Sequence, residues 1–187
     1  MGQMGLAAAG PTAADPSAGA ADRDGTAAAS RPALVFRAGT LLCALPLAEI
    51  IETMRPLPVH RVAGVPPYLS GLTIMRGRPT PVVDIALLLT GTSAPAARFV
   101  AVRAGRRPVA VATGPVVDVR RRLPVADPDG AALDPGTARL VAGVGAAAGE
   151  PLFLLRGARL VPDEVWAAIA VGDVAVGDTD GGPAAAP

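Results

Sequence analysis

Lysine does not occur anywhere in this 187-residue chain, and every chemistry that depends on it is excluded. That removes a Walker A phosphate loop in its usual form, a Schiff base and the lysine of a protein kinase. Histidine is nearly missing too. His60 is the single copy and lies in the β-like run Pro58-Val-His-Arg-Val62, where a surface or strand-edge role is the simplest reading. One cysteine, Cys43, rules out an internal disulfide and suits a reducing cytoplasm. Set within Leu41-Leu-Cys-Ala-Leu45, it reads as a small buried hydrophobe. One Cys and one His are too few for the common structural zinc sites. No serine stands in a Gly-x-Ser-x-Gly turn, and Glu49, Glu52, Asp84, Asp118 and Glu150 show no catalytic spacing. Neither an enzyme nor a cofactor is expected.

Aromatic residues make up only 3% of the chain, so a core must be assembled from Val, Leu, Ile and Ala. Long apolar runs are lacking as well. The best, 41–51, is broken by Pro46 and Glu49 and falls short of the ~20 residues a membrane span needs. The N-terminus has no basic patch, and Asp15, Asp22 and Asp24 interrupt its alanines, so it does not read as a secretion signal. Net charge is +1, which gives no global attraction to nucleic acid or anionic membrane. All 17 cationic residues are arginine, spread along the chain in a way that reads as coding bias. Even Arg120-Arg121-Arg122 is most simply a solvated strand end, with an acidic partner as the weaker alternative.

What is present is a mainly β pattern between two tails. Residues 1–31 and 172–187 carry few large apolar side chains and are expected to be disordered, leaving 32–171 as the folded part. Hairpins are expected at Ala33–Arg37 with Leu41–Leu45, and at Phe99–Arg103 with Pro108–Thr113. Leu72–Met75, Pro81–Ile85, Val116–Leu123, Arg139–Val144 and Leu152–Leu155 read as further strands. Leu47, Ile50, Ile51 and Met54 recur at helical spacing between Pro46 and Pro56, which predicts a short amphipathic helix showing Glu49 and Glu52 to solvent. Asp127-Pro-Asp-Gly130 and Asp134-Pro-Gly136 mark an irregular loop, and a terminal helix is expected over Pro162–Ile169. Short, closely spaced strands argue for small barrels or a sandwich and against a parallel α/β fold.

Within this pattern, Leu34 to Leu89 resembles the CheW-like family of chemotaxis coupling proteins. The residues that carry the likeness are Ala44-Leu-Pro-Leu-Ala-Glu-Ile-Ile-Glu52, Val65-Pro-Pro-Tyr-Leu-Ser-Gly71, Leu72-Thr-Ile-Met-Arg-Gly77 and Pro79-Thr-Pro-Val-Val-Asp-Ile85. Arg-Gly alone carries nothing; the ordered set over about fifty residues is specific. Fainter likeness continues through Phe99–Leu123, Leu140–Val144 and Leu152–Val161. The resemblance implies two five-stranded, SH3-like β-barrel subdomains packed side by side. Each of these would be marginal alone.

It also implies a non-catalytic adaptor with two partners, the regulatory domain of a CheA-type histidine kinase and the cytoplasmic tip of a methyl-accepting chemoreceptor. No nucleic acid or direct membrane insertion is involved. Arg76, Ile50 and Glu52 match family positions tied to partner contacts. Their ordinary readings are a strand-end cation holding a carboxylate, a core residue and a solvated acid. Gly71 and Gly77 suit turns that need positive φ, Pro81 a strand start or edge, and Asp84 bonds to the amides of the next turn. Two departures stand out. Ile74 replaces a residue that is often polar in the family, and Arg156-Gly157 follows Leu154-Leu155 where an aspartate is usual. A CheW-like scaffold wired to a different signalling kinase or regulator is the nearest rival. A small β-barrel enzyme or ligand-binding protein is a rival of another class, for which the chain offers few convergent polar groups.

Overall fold

The computed structural model describes residues 32–128, 133 and 135–171. Both tail assignments, and residues 129–132 and 134 of the irregular loop, lie outside the described residues. The strands are β1 (Ala33–Ala38), β2 (Leu41–Pro46), β3 (Ile50–Met54), β4 (Leu69–Met75), β5 (Arg78–Asp84), β6 (Arg98–Ala104), β7 (Arg107–Thr113), β8 (Val116–Arg120), β9 (Val125–Ala126), β10 (Val141–Ala147) and β11 (Glu150–Leu155). Three short helices join them: α1 (Ile85–Thr90), α2 (Pro135–Leu140) and α3 (Asp163–Val171).

Two sheets result. One runs β8-β1-β2-β11-β10-β9, the other β3-β6-β7-β5-β4. The chain thus starts in the first sheet, leaves to build the whole of the second, and returns to finish the first. These are the two SH3-like subdomains, but they are interleaved in sequence. The first counts six strands because the two-residue β9 adds to it, and neither hydrogen-bond ladder closes on itself among the described residues.

Both expected hairpins form, with Ala38↔Leu41 and Ala104↔Arg107 as their last pairs. The helix expected over Leu47–Met54 does not. Leu47–Glu49 is a single 3-10 turn after Pro46, and Ile50–Met54 is the strand β3, paired antiparallel with β6. Two adjacent β-branched isoleucines and Thr53 favour the pleated conformation. Pairing with β6 satisfies the backbone groups that a short helix with Pro56 beyond its end would leave open. The consequence is a change of face. Ile50, Glu52 and Met54 now share the half-buried side, while Ile51 is exposed.

The central strands alternate their side chains between two clusters. Leu34, Phe36 and Leu45 of the first sheet join Val83, Val100, Val102 and Val111 of the second in one large buried cluster, completed by Leu155, Leu160 and Val165. The opposite faces build smaller clusters, Val35, Leu42, Leu123 and Leu152 in the first subdomain and Val82, Phe99 and Ala110 in the second. With so few rings available, the core gains its bulk by merging the two subdomains.

Asp84 ends β5 and starts α1: the Leu87 N–H donates to its Oδ1 (3.0 Å) and Ser93 Oγ donates to its Oδ2. This is an N-cap bond in a buried position. The sequence placed a strand through Ile85 and did not anticipate the helix. Pro81 is buried in β5 opposite Leu72, and pairing with β7 begins only at Val82. Gly71 sits at φ 140° beside an isolated bridge between His60 and Leu72, and a Cβ there would lie 2.0 Å from the His60 carbonyl oxygen. Backbone cannot yield to that overlap.

Gly71→Ala is therefore expected to cost about 2–4 kcal/mol, seen as a lower urea midpoint at unchanged slope. An unmoved midpoint would contradict the close approach. Asp84→Ala is expected to cost about 1–2 kcal/mol through the lost cap, with faster amide exchange concentrated in 85–90; uniform exchange changes would count against it.

Candidate protein-interaction surface

β3 and β4 are the outermost strands of the five-stranded sheet, at opposite ends of its strand order, β4 carrying only the single bridge to His60 on its outer side. The sheet curls far enough to bring them together, and one pair of side chains spans the gap. Arg76 Nε donates to Glu52 Oε1 at 2.6 Å and its Nη2 donates to Oε2 at 2.8 Å, a two-pronged fork. The seam that backbone bonds leave open is closed here by a guanidinium and a carboxylate.

The local sequence explains the position of Arg76. Met75-Arg76-Gly77-Arg78 is a two-residue hairpin turn with Met75 paired to Arg78. Arg76 and Gly77 have φ 50° and 75°, as a type I′ turn requires. Glu52 reaches the same place because β3 is a strand and turns it to the half-buried side with Ile50. Side-chain exposures of 74% for Arg76 and 27% for Glu52 show the guanidinium standing outward on a more sheltered acid. Hydrogen bonding from Arg76 holds the Glu52 carboxyl below the usual glutamate range, and the same bond raises Arg76. Apolar side chains flank the fork: Ile51 on β3 is 43% exposed and Ile74 on β4 is 56% exposed. Ile50 packs against the main core cluster. The structure thus brings Glu52 and Arg76 into contact and sets Ile50 beneath them. Gly71, Pro81 and Asp84 stand in the scaffold of β4, β5 and α1.

A similar fork occurs in the six-stranded sheet. Arg37 of β1 bonds Glu150 of β11 at 2.6 and 3.1 Å, across the intervening β2. Where the sheets meet, Glu49 of the 3-10 turn accepts a hydrogen bond from the Gly157 N–H at 2.7 Å, tying the turn that leaves β2 to the end of β11. The glycine after Arg156, a departure from the family pattern, is thus a fixed contact. Beside it opens a cleft of about 490 Å³ lined by Pro46, Glu49, Leu123, Val125, Leu154 and Arg156. The family resemblance implies a groove between the barrels for a receptor tip, but the walls of this cleft were not legible in the sequence, because they come from 33–49 and 123–159 and meet only through the chain's return.

The residues weighed for chemistry are elsewhere. Cys43 is fully buried, and burial pushes its thiol up to about 12. His60 is exposed and contributes its backbone to the bridge with Leu72. Among the described residues no group of three His, Cys, Asp or Glu side chains could hold a metal ion, and no helix is long and apolar enough to cross a membrane. Arg120 contacts Asp118 at 3.3 Å, while Arg121 and Arg122 are exposed beyond β8.

Two interleaved SH3-like subdomains stand about a shared core, with the Arg76–Glu52 fork on the outer strands of one of them. The CheW-like domain family matches residues 32–165, most of the described chain, and the chain belongs to that family. The crystal structure of the scaffolding protein TtCheW from Thermoanaerobacter tengcongensis has the same fold, with a TM-score of 0.63 at 14% identity over 71% of this chain and 88% of that one. No functionally curated protein matches. The family is one of non-catalytic scaffolds, and membership supports a scaffold or adaptor role in chemotaxis signalling.

A folded-state carboxyl value held low stabilises above the unfolded value, and that contribution is lost as pH falls through the folded value. The seam contact is thus expected to persist at neutral pH and to open only below the usual glutamate range. A carboxyl NMR titration should give Glu52 a depressed midpoint that rises toward normal in Arg76→Ala. Equal midpoints in the two proteins would refute the fork.

Proposed function

We propose that this chain is a cytoplasmic chemotaxis adaptor that couples chemoreceptors to a CheA-type histidine kinase. The observation that carries the reading is the family match over 32–165, with the fork-closed seam lying inside the segment that bears the family's motifs. The seam face docks on the kinase regulatory domain. Ile51 and Ile74 supply the apolar contact and Arg76 the charged margin, the usual division between interface core and rim. The fork leaves Arg76 donors beyond Nε and Nη2 for a partner carboxylate. Glu52 acts through Arg76, holding the guanidinium in place, and Ile50 supports β3 from below. The cleft beside Glu49 and Leu123 receives the tip of the receptor's helical hairpin. Signalling works by favouring one conformation of the assembled kinase, with no bond made or broken by the adaptor.

A second reading has a specific observation behind it. Ile74 stands exposed where the family often has a polar residue, which favours a module rewired to another signalling kinase while keeping the fold.

Binding to an isolated kinase regulatory domain and to a receptor tip separates the two. The adaptor reading expects both to bind, with Arg76→Ala and Glu52→Arg each weakening the kinase contact by about tenfold while the far-UV CD spectrum stays unchanged. Undiminished kinase binding in both variants overturns the assigned face. Failure of the receptor tip to bind favours the rewired module.

A further inference from the structure

β8 ends one side of the six-stranded sheet, and among the described residues no strand lies beyond it. Val116, Val117 and Val119 stand exposed along it. Val119 shares a face of the sheet with Leu34, its register partner on β1. Leu34 is 5% exposed and Val119 52%, so the large core cluster loses its cover one strand short of the edge.

The direction of the backbone groups of β8 follows from β1. Successive residues of a strand bond alternately to the neighbours on its two sides. Arg37 bonds toward β8: its N–H donates to the Pro115 carbonyl at 3.0 Å, and its carbonyl accepts from the Gly114 N–H at 2.8 Å. Val35 and Ala33 therefore face β8 as well, and their register partners Asp118 and Arg120 face back. Val119, between those two, points its N–H and C=O away from β1. Its N–H donates instead to Asp118 Oδ1 at 2.7 Å, and Arg120 contacts Oδ2 of the same carboxylate at 3.3 Å. Charges of this kind commonly guard a strand edge.

This guard is self-complementary. With a second β8 laid antiparallel and Val119 opposite Val119, the two residues exchange N–H to C=O bonds in both directions. Asp118 then stands opposite Arg120 of the other copy, and Arg120 opposite its Asp118. Both are non-hydrogen-bonded pairs, the kind that brings side chains closest. The neighbouring two-fold registers are worse. Centring on Asp118 sets carboxylate against carboxylate, and centring on Arg121 sets cation against cation. Centring on Val117 brings Val119 opposite Pro115, which has no N–H.

We propose that β8 pairs with β8 of a second copy of this chain about a two-fold axis at Val119, joining the two six-stranded sheets. Asp118 releases the Val119 amide and exchanges its own Arg120 for that of the second copy. The Val119 side chains then cover one another at the edge of the core. One short strand against its copy buries less than the ~1,600 Å² of a standard interface, so the association is reversible and driven by concentration. The Arg76 seam belongs to the other sheet and takes no part in it.

Sedimentation equilibrium of the full chain tests this. The mass is expected to rise from one chain toward two as concentration increases, with exchange of the Val119 amide slowing in step. Asp118→Arg sets Arg against Arg, Arg120→Asp sets Asp against Asp, and each variant alone is expected to associate at least about tenfold more weakly. Mixed in equal amounts, the two present cation to carboxylate at both pairs, and a dimer holding one of each should return. The contact within one strand cannot produce that recovery, because each variant lacks it. A chain that stays monomeric up to about 1 mM overturns the proposal and leaves the strip to a different protein. Single variants that dimerise as readily as the parent, or that remain monomeric when mixed, also overturn it.

Discussion

Leu34, Phe36 and Leu45 of the six-stranded sheet share one buried cluster with Val83, Val100 and Val111 of the five-stranded sheet, and the remaining architecture follows from that contact. A sheet of five or six short strands has too little interior of its own to hold a fold together. With aromatic residues at 3% of the chain, no single large side chain can make up the difference. Aliphatic burial is worth about 1.5–3 kcal/mol per side chain, so a merged cluster outweighs what exposed ion pairs contribute. The interleaved chain path enforces the merger: β1 and β2 belong to a sheet that is completed only after β3–β7 have been laid down.

That shared core gives the surface its precision. Because it locks the two sheets together, the seam of the five-stranded sheet and the cleft beside Glu49 are held in one fixed relation. The Arg76–Glu52 fork is then a local device, a clasp across two strand edges. It orients a guanidinium beside the exposed Ile51 and Ile74, and as an exposed pair it adds little to global stability. Glu49 has a comparable task, fixing the crossing between sheets to the end of β11 through the Gly157 N–H. The forks and the crossing bond are polar fasteners on an aliphatic body, which suits a protein that binds other proteins and keeps its own shape.

Much of this was legible in the sequence, for identifiable reasons. The β1–β2 and β6–β7 hairpins announce themselves because a glycine marks each turn between alternating apolar runs. The family likeness rests on a motif that is local in sequence, 44–85, and the fold it implies is the one found. The misreadings share a cause. Residues 47–54 carry helical spacing, but the strand is decided by a distant partner, β6. Glu52 and Arg76 are 24 residues apart and meet only because the sheet curls. Helix α1 was hidden because Ile85 continues an apolar run, although Asp84 is a capping residue type.

The central claim, that both subdomains stand on one core, is tested most directly by residue-resolved amide exchange in Val100→Ala. Val100 lies in β6 with 0% exposure, in the merged cluster. If the core is shared, protection falls in step across β6 and β7 and across β1, β2, β10 and β11. Loss confined to the five-stranded sheet, with the six-stranded sheet as protected as before, would contradict it.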